Sequence, residues 1–166
     1  YWPGFYGHTK TRLSQDHDGL LVDCGAIGNL TGDCQLKRMS DRASEAGLET
    51  TFKTMPLPLT VEGVGNGSQV ATTVASVPMT TPDGTVGVYE TPILPNSNIP
   101  SLLGLTTMEK HRAILDCHNK VLYLCAPGEV EIRVPEGSER LPLEQAPSGH
   151  LILPISNYEV ANAFLR

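Results

Sequence analysis

Aromatic side chains are scarce in this sequence, 5% of its 166 residues, and charged residues reach only 18%. With 40% apolar residues, so little charge excludes an intrinsically disordered chain and points to a globular one. Long apolar runs are missing too. Leu20–Val22 and Leu151–Leu153 fall far short of the roughly 20 residues that span a bilayer, so no membrane span is expected. Positive charge is in deficit: 12 Lys and Arg face 18 Asp and Glu, a net charge of −6. A chain without a basic stripe is a poor partner for nucleic acid, because neutralised phosphates supply most of that affinity.

Cysteine is present but carries no metal signature. Cys24, Cys34, Cys117 and Cys125 show no CxxC spacing, and the five histidines are scattered. The adjacent Cys117-His118 pair falls short of the four ligands of a structural zinc, so neither a metal nor another cofactor is expected. Cys117 and Cys125 flank a predicted hairpin, across which they could face each other; reduced thiols and a cytoplasmic setting are the expectation. The chain begins at Tyr1 rather than Met and is expected to be a piece of a longer precursor, so a missing signal peptide means little.

What the chain does have is turn residues, 16 Gly and 13 Pro spread without period. Many turns between short elements favour a mainly-β fold. Tyr1–Tyr6 is aromatic and has no clear period, and Thr9–Asp18 reads as an exposed connection. Gly19–Asp23 is a short apolar run ending in an acid, a buried strand. Asp33–Gly47 reads as a helix with Asp33 as N-cap and Gly47 at C′, with Leu36, Met39, Ala43 and Ala46 on one side. Met55–Leu59 is extended, since Pro56 and Pro58 each fix φ. The Asn66-Gly67 pair signals a hairpin, and Val70–Met79 a strand with Val70, Val74 and Val77 inward. Pro82-Asp83-Gly84 turns the chain into a return strand, Val86–Thr91. Thr106–Arg112 is a second helix, with Thr106 or Thr107 as cap. Ala113–Asp116 and Val121–Leu124 form a hairpin, and Glu129–Val134 and Leu151–Ile155 are candidate strands.

Asp23-Cys24-Gly25-Ala26 comes directly after the first strand. An acid fixed at a strand end before a glycine turn is geometrically useful, because the glycine lets another backbone approach. Alone, the tetrapeptide reads equally as an Asp bonded to turn amides. Further along come the glycine-rich stretch Val61–Ser68, then Ile99–Leu105 with Leu102-Leu103-Gly104, then Leu115-Asp116 and Lys120-Val121-Leu122. In this order, over about residues 19–125, the segments resemble the retropepsin family, the aspartic proteases of retroviruses and retrotransposons. Asn29-Leu30-Thr31-Gly32 resembles the stretch just past the catalytic loop in retrotransposon-type relatives.

The resemblance implies a closed β-barrel with one or two short helices, flanked by extensions over residues 1–18 and 126–166. It implies a catalytic loop of Asp23, Cys24 and Gly25. Ala26, the flap residues Gly63, Val64 and Gly65, and Leu102 and Leu103 would meet an extended peptide. On their own, Leu102 and Leu103 read as core. Hydrolysis by this route needs two carboxylates sharing one proton, and one motif per chain implies a homodimer. Cys24 stands where the family has Thr or Ser, whose hydroxyl bonds across the dimer. A thiol is a weak donor, and an unmet partner there costs roughly 1–3 kcal/mol. Two functions stay open: an active endopeptidase, or an inactive accessory subunit bound to protein partners in a larger complex.

Other motifs are weaker. Asn29-Leu30-Thr31 and Asn66-Gly67-Ser68 match the glycosylation sequon. Ser148-Gly149-His150 lacks nucleophile-elbow spacing, and residues so close in sequence are not expected to face each other.

Overall fold

Turn residues cut this chain into many elements, among the described residues three long strands of 9 to 12 residues and seven of two to four. The computed structural model describes residues 11, 13, 17–63 and 67–156, so Tyr1–Tyr6, Val64, Gly65 and Asn66 lie outside the described residues. In chain order come β1 (Leu21–Asp23), β2 (Thr31–Gly32), α1 (Asp33–Glu45), β3 (Thr51–Val61), β4 (Gln69–Thr80) and β5 (Val86–Leu94). After these come β6 (Leu102–Gly104), α2 (Leu105–Lys110), β7 (Ala113–Asp116), β8 (Val121–Leu124), β9 (Glu144–Gln145) and β10 (Leu151–Ile152). The protein is mainly β with two short helices. The chain forms two compact units, one up to Met108 and one from Glu109.

The expected closed barrel does not form among the described residues. The strands make one four-stranded sheet, ordered β2-β5-β4-β3, and three separate pairs, β1-β6, β7-β8 and β9-β10. Closure needs long, tilted, staggered strands. Here β1, β2 and β6 span only two or three residues each. A single bridge, Leu30 to Leu102, links β6 to the residue preceding β2.

Helix α1 ends where Gly47 permits it. Gly47 has φ +76°, its N–H donates to the Ser44 carbonyl, and the Leu48 N–H donates to that of Ala43. This is the Schellman arrangement, which needs a residue able to enter the left-handed region. Ala46 is the C-cap rather than a packing residue. The N-cap is Gly32, without a side-chain bond, not Asp33. The Asp33 carboxylate instead accepts the N–H groups of Asn96 (2.7 Å) and Ser97 (2.9 Å), tying the helix start to a distant turn. Desolvation pushes Asp33 up, and the amide bonds from Ser97 and Asn96 more than offset it. Its carboxyl lies below the ordinary range.

Strand parity in β4 differs from the expectation. Ala71, Ala75 and Val77 are buried, while Val70 is 44% exposed and Val74 is half-buried. Alternation allows only residues of one parity inward. The small Ala75 is buried because Leu36 and Met39 of α1 pack in the same cluster, with Val77 and Tyr89. A second cluster joins Leu30, Ala71, Leu94, Ile99 and Leu102, with Ala26, Met55 and Val61 against it. The β3–β4 hairpin, through Met55, Val61 and Ala71, and the loop after β1, through Ala26, thus share one core.

In the second unit β7 and β8 pair from Ala113↔Leu124 to Asp116↔Val121. Asp116 accepts the Asn119 N–H at 3.0 Å, and Lys120 turns the chain at φ +58°. Cys117 sits in that turn and Cys125 beyond the open end, so they do not face each other; all four cysteines are free. Glu129–Val134 forms no strand, and the last candidate strand is reduced to Leu151–Ile152. No apolar side chain of this unit is fully buried among the described residues.

Candidate functional site

Parallel pairing of β1 with β6 sets Asp23 opposite Gly104, Val22 opposite Leu103 and Leu21 opposite Leu102. Asp23 is therefore the last ordered strand position before the glycine turn. Its Oδ1 accepts the Gly25 N–H at 2.9 Å, and its carbonyl accepts the Ala26 N–H at 3.2 Å. The side chain is half-buried, and Cys24 and Gly25 beside it are exposed. Ala26 leans on the cluster of Leu30, Ala71 and Leu94.

Gly104 has no side chain for a reason that the geometry makes explicit. A Cβ there would lie 2.3 Å from the Gly28 carbonyl carbon and oxygen. The loop from Asp23 to Asn29 folds directly onto it. Leu105 N–H donates to Ala26 O and Thr106 N–H to Ile27 O, at 2.8 and 2.9 Å. Neither Thr106 nor Thr107 caps the helix as the sequence suggests. Their hydroxyls instead donate to Ile27 O (2.8 Å) and Asn29 Oδ1 (3.0 Å). Asn29 Oδ1 also accepts the Gly104 N–H at 3.0 Å, and Asn29 Nδ2 donates to Glu90 O at 2.9 Å.

A buried polar cluster underlies the loop. The Tyr89 hydroxyl donates to Leu102 O at 2.7 Å and reaches Leu30 O at 3.3 Å and Thr31 Oγ1 at 3.2 Å. Thr31 Oγ1 in turn meets Thr91 Oγ1 at 3.0 Å. Tyr89 is 2% exposed, and burial pushes its hydroxyl above its ordinary value against these hydrogen bonds. The cluster joins Leu30, at the end of the loop, to Leu102 of β6, the strand that pairs with β1.

The sequence-derived site residues are therefore distributed unevenly. Asp23, Cys24, Gly25 and Ala26 form one loop, and β6 places Leu102 and Leu103 beside its strand. Leu102 is buried in the core, whereas Leu103, on the opposite face of β6, is half-buried. Gly63, on the hairpin side, is exposed with φ +80°. Val64 and Gly65 lie outside the described residues.

Asn29, Tyr89 and Thr107 escape reading from local sequence as site residues. Their partners lie 13 to 78 positions away, so no short motif records them. An Asn six residues past the acid, with a Thr three past the distant Gly104, is the signal that the sequence offers. The geometry also bears on two other motifs. In the sequon at Asn29, Nδ2 donates to Glu90 O and Thr31 is fully buried. Ser148 and His150 do meet, at 2.8 Å between Oγ and Nδ1, contrary to the expectation from their spacing. The contact belongs to the turn between β9 and β10, closed by Ala146 N–H to His150 O.

Among the described residues no group of three or more His, Cys, Asp or Glu side chains is placed to hold a metal ion. None of the helices there is long and apolar enough to cross a membrane. What the loop offers chemically is one half-buried carboxylate, held by an amide at its own turn. No protein-family model matches this chain, and no curated protein matches it significantly.

Proposed function

We propose that this chain is one half of an aspartic endopeptidase of retrotransposon type, completed by a second copy of itself. The observation that carries the proposal is the placement of Asp23: a strand-end carboxylate on a glycine turn that is folded onto Gly104. In a symmetric pair, two such turns meet and two carboxylates share one proton, because like charges at short range do not both ionise. The ionised member takes a proton from water; the protonated member donates to the substrate carbonyl. An extended peptide lies between this dyad and the β3–β4 hairpin, bonded through its main chain. Leu103 and Ala26 offer the apolar surface beside it.

The test is peptide-library digestion across acid pH, with a transition-state mimic as control. Cleavage is expected on the acid side with a bell-shaped profile that belongs to the pair. Asp23→Asn is expected to abolish it with the far-UV CD spectrum and melting temperature retained. Undiminished cleavage by that variant overturns the assignment.

A second reading is favoured by one observation, the exposed thiol of Cys24 where a hydroxyl is expected. Under it the chain is a non-catalytic subunit of a protein assembly, and Asp23 serves its own turn. A chain that sediments as a monomer at high micromolar concentration and cleaves nothing supports this reading over the first.

A further inference from the structure

We infer that Asn29 is the positioning residue for the Asp23 carboxylate, an assignment that rests on the proposed role of Asp23. The loop between them carries Gly25 and Gly28, and its outer residues Cys24 and Gly25 are exposed. Such a loop has little intrinsic stiffness. It is nevertheless closed into a ring on one residue. At its start Asp23 is in register with Gly104 through the β1–β6 pair. At its end Asn29 Oδ1 accepts the N–H of that same Gly104. The bare Cα of Gly104 lets Gly28 settle against it, which completes the closure.

Asn29 also ties the ring to two further elements. Thr107 Oγ1 of α2 donates to the same Oδ1, and Nδ2 donates to Glu90 O of β5. Only a carboxamide of this length both accepts two bonds and donates a third here. Asp lacks the donor, and Leu lacks both functions. The remaining anchors of the loop, at Ala26 O and Ile27 O, use its main chain and persist whatever side chain stands at residue 29. A misplacement of about 1 Å at a reacting group costs on the order of 100-fold in rate. Asn29 therefore acts on the chemical step through the position of Asp23, without touching substrate.

The test uses the full chain with Asn29→Ala, Asn29→Asp and the nearly isosteric Thr107→Val, each checked for folding by thermal melting. Two readouts are followed. One is the amide resonance of Gly25, which reports the 2.9 Å bond to Asp23 Oδ1. The other is kcat and KM for a cleaved peptide. Asn29→Ala is expected to lower kcat about 10- to 100-fold with KM within about twofold. Thr107→Val should shift the same way by less, and each folded variant should move the Gly25 resonance. If Asn29→Ala fails to fold, the other two variants decide. A folded Asn29→Asp and Thr107→Val with unmoved Gly25 resonance and unaltered kcat overturn the inference. Should the wild-type chain cleave nothing while that resonance moves in the variants, Asn29 still positions Asp23 and the peptidase proposal alone fails.

Discussion

A single missing methyl group decides how closely the Asp23 loop sits on its neighbour. Adding a Cβ at Gly104 sets it 2.3 Å from Gly28 backbone atoms, which no rotamer change relieves. Gly104→Ala is therefore expected to cost about 3 kcal/mol, at or beyond the usual overpacking range, in urea denaturation. Gly87→Ala is the control. Its Cβ would meet the Met79 Cε at 3.3 Å, the far end of a flexible chain, and the cost should stay below about 1 kcal/mol. Tyr89 tests the layer beneath. Tyr89→Phe strips a hydroxyl from the buried carbonyls of Leu102 and Leu30 and from Thr31, an expected loss of about 1–3 kcal/mol. The pH dependence has a definite sign. Burial raises the Tyr89 pKa in the folded state above 10.0, so its contribution is complete below that pH and is lost as pH climbs through the folded value. Tyr89→Phe should remove that part of the alkaline unfolding limb. The glycine is legible from sequence, as two apolar residues and Gly before a helix; its counterpart Gly28 is not, because 76 positions separate them. Tyr89 reads as an ordinary strand residue, since alternation says which face a side chain takes but not what its polar tip finds there.

At the scale of elements, the sequence is most informative where a local rule fixes the outcome. The hairpin β7–β8 and the end of α1 arise from turn chemistry within a few residues, and both stand where sequence places them. The inward face of β4 and the role of Asp33 depend on what arrives from elsewhere, and there local reading errs. The entry into β1 is held in the same non-local way. Asp18, 14% exposed, pairs with Arg38 at 2.8 Å and Arg42 at 3.0 Å on successive turns of α1. Asp18→Ala leaves two guanidinium groups without that carboxylate. The expected cost is about 1–2 kcal/mol, between the limits for exposed and buried pairs, and smaller at high salt. Asp33 gives the helix its acid sensitivity. Its folded pKa is depressed, so its stabilisation is present above 3.8 and is lost as pH falls through the folded value. Acid denaturation of Asp33→Asn, followed by circular dichroism, should begin with a shallower slope than that of the wild type.

For the whole molecule, the decisive quantity is how many copies make one site. The sequence carries a single Asp-Cys-Gly-Ala motif, and the described residues place its acid on one loop of the first unit. A dyad built across a two-fold axis makes activity a property of pairs. Specific activity then rises with concentration until dimers saturate, and the midpoint of that rise coincides with the dimer dissociation constant from sedimentation. Mixing gives a sharper test. Under the proposed dimer, Asp23→Asn subunits are expected to retain the fold and to enter pairs at random with wild-type subunits. A mixed pair holds one carboxylate and one carboxamide, and cannot both activate water and share a proton in the required way. With equal amounts of both chains, random pairing leaves about a quarter of dimers fully wild type. Activity per total subunit should therefore fall to about a quarter of the value for the same total concentration of wild-type chain, rather than to a half. A fall to one half places the chemistry within single chains. The symmetric dyad, and with it the role assigned to Asp23, would not survive that result.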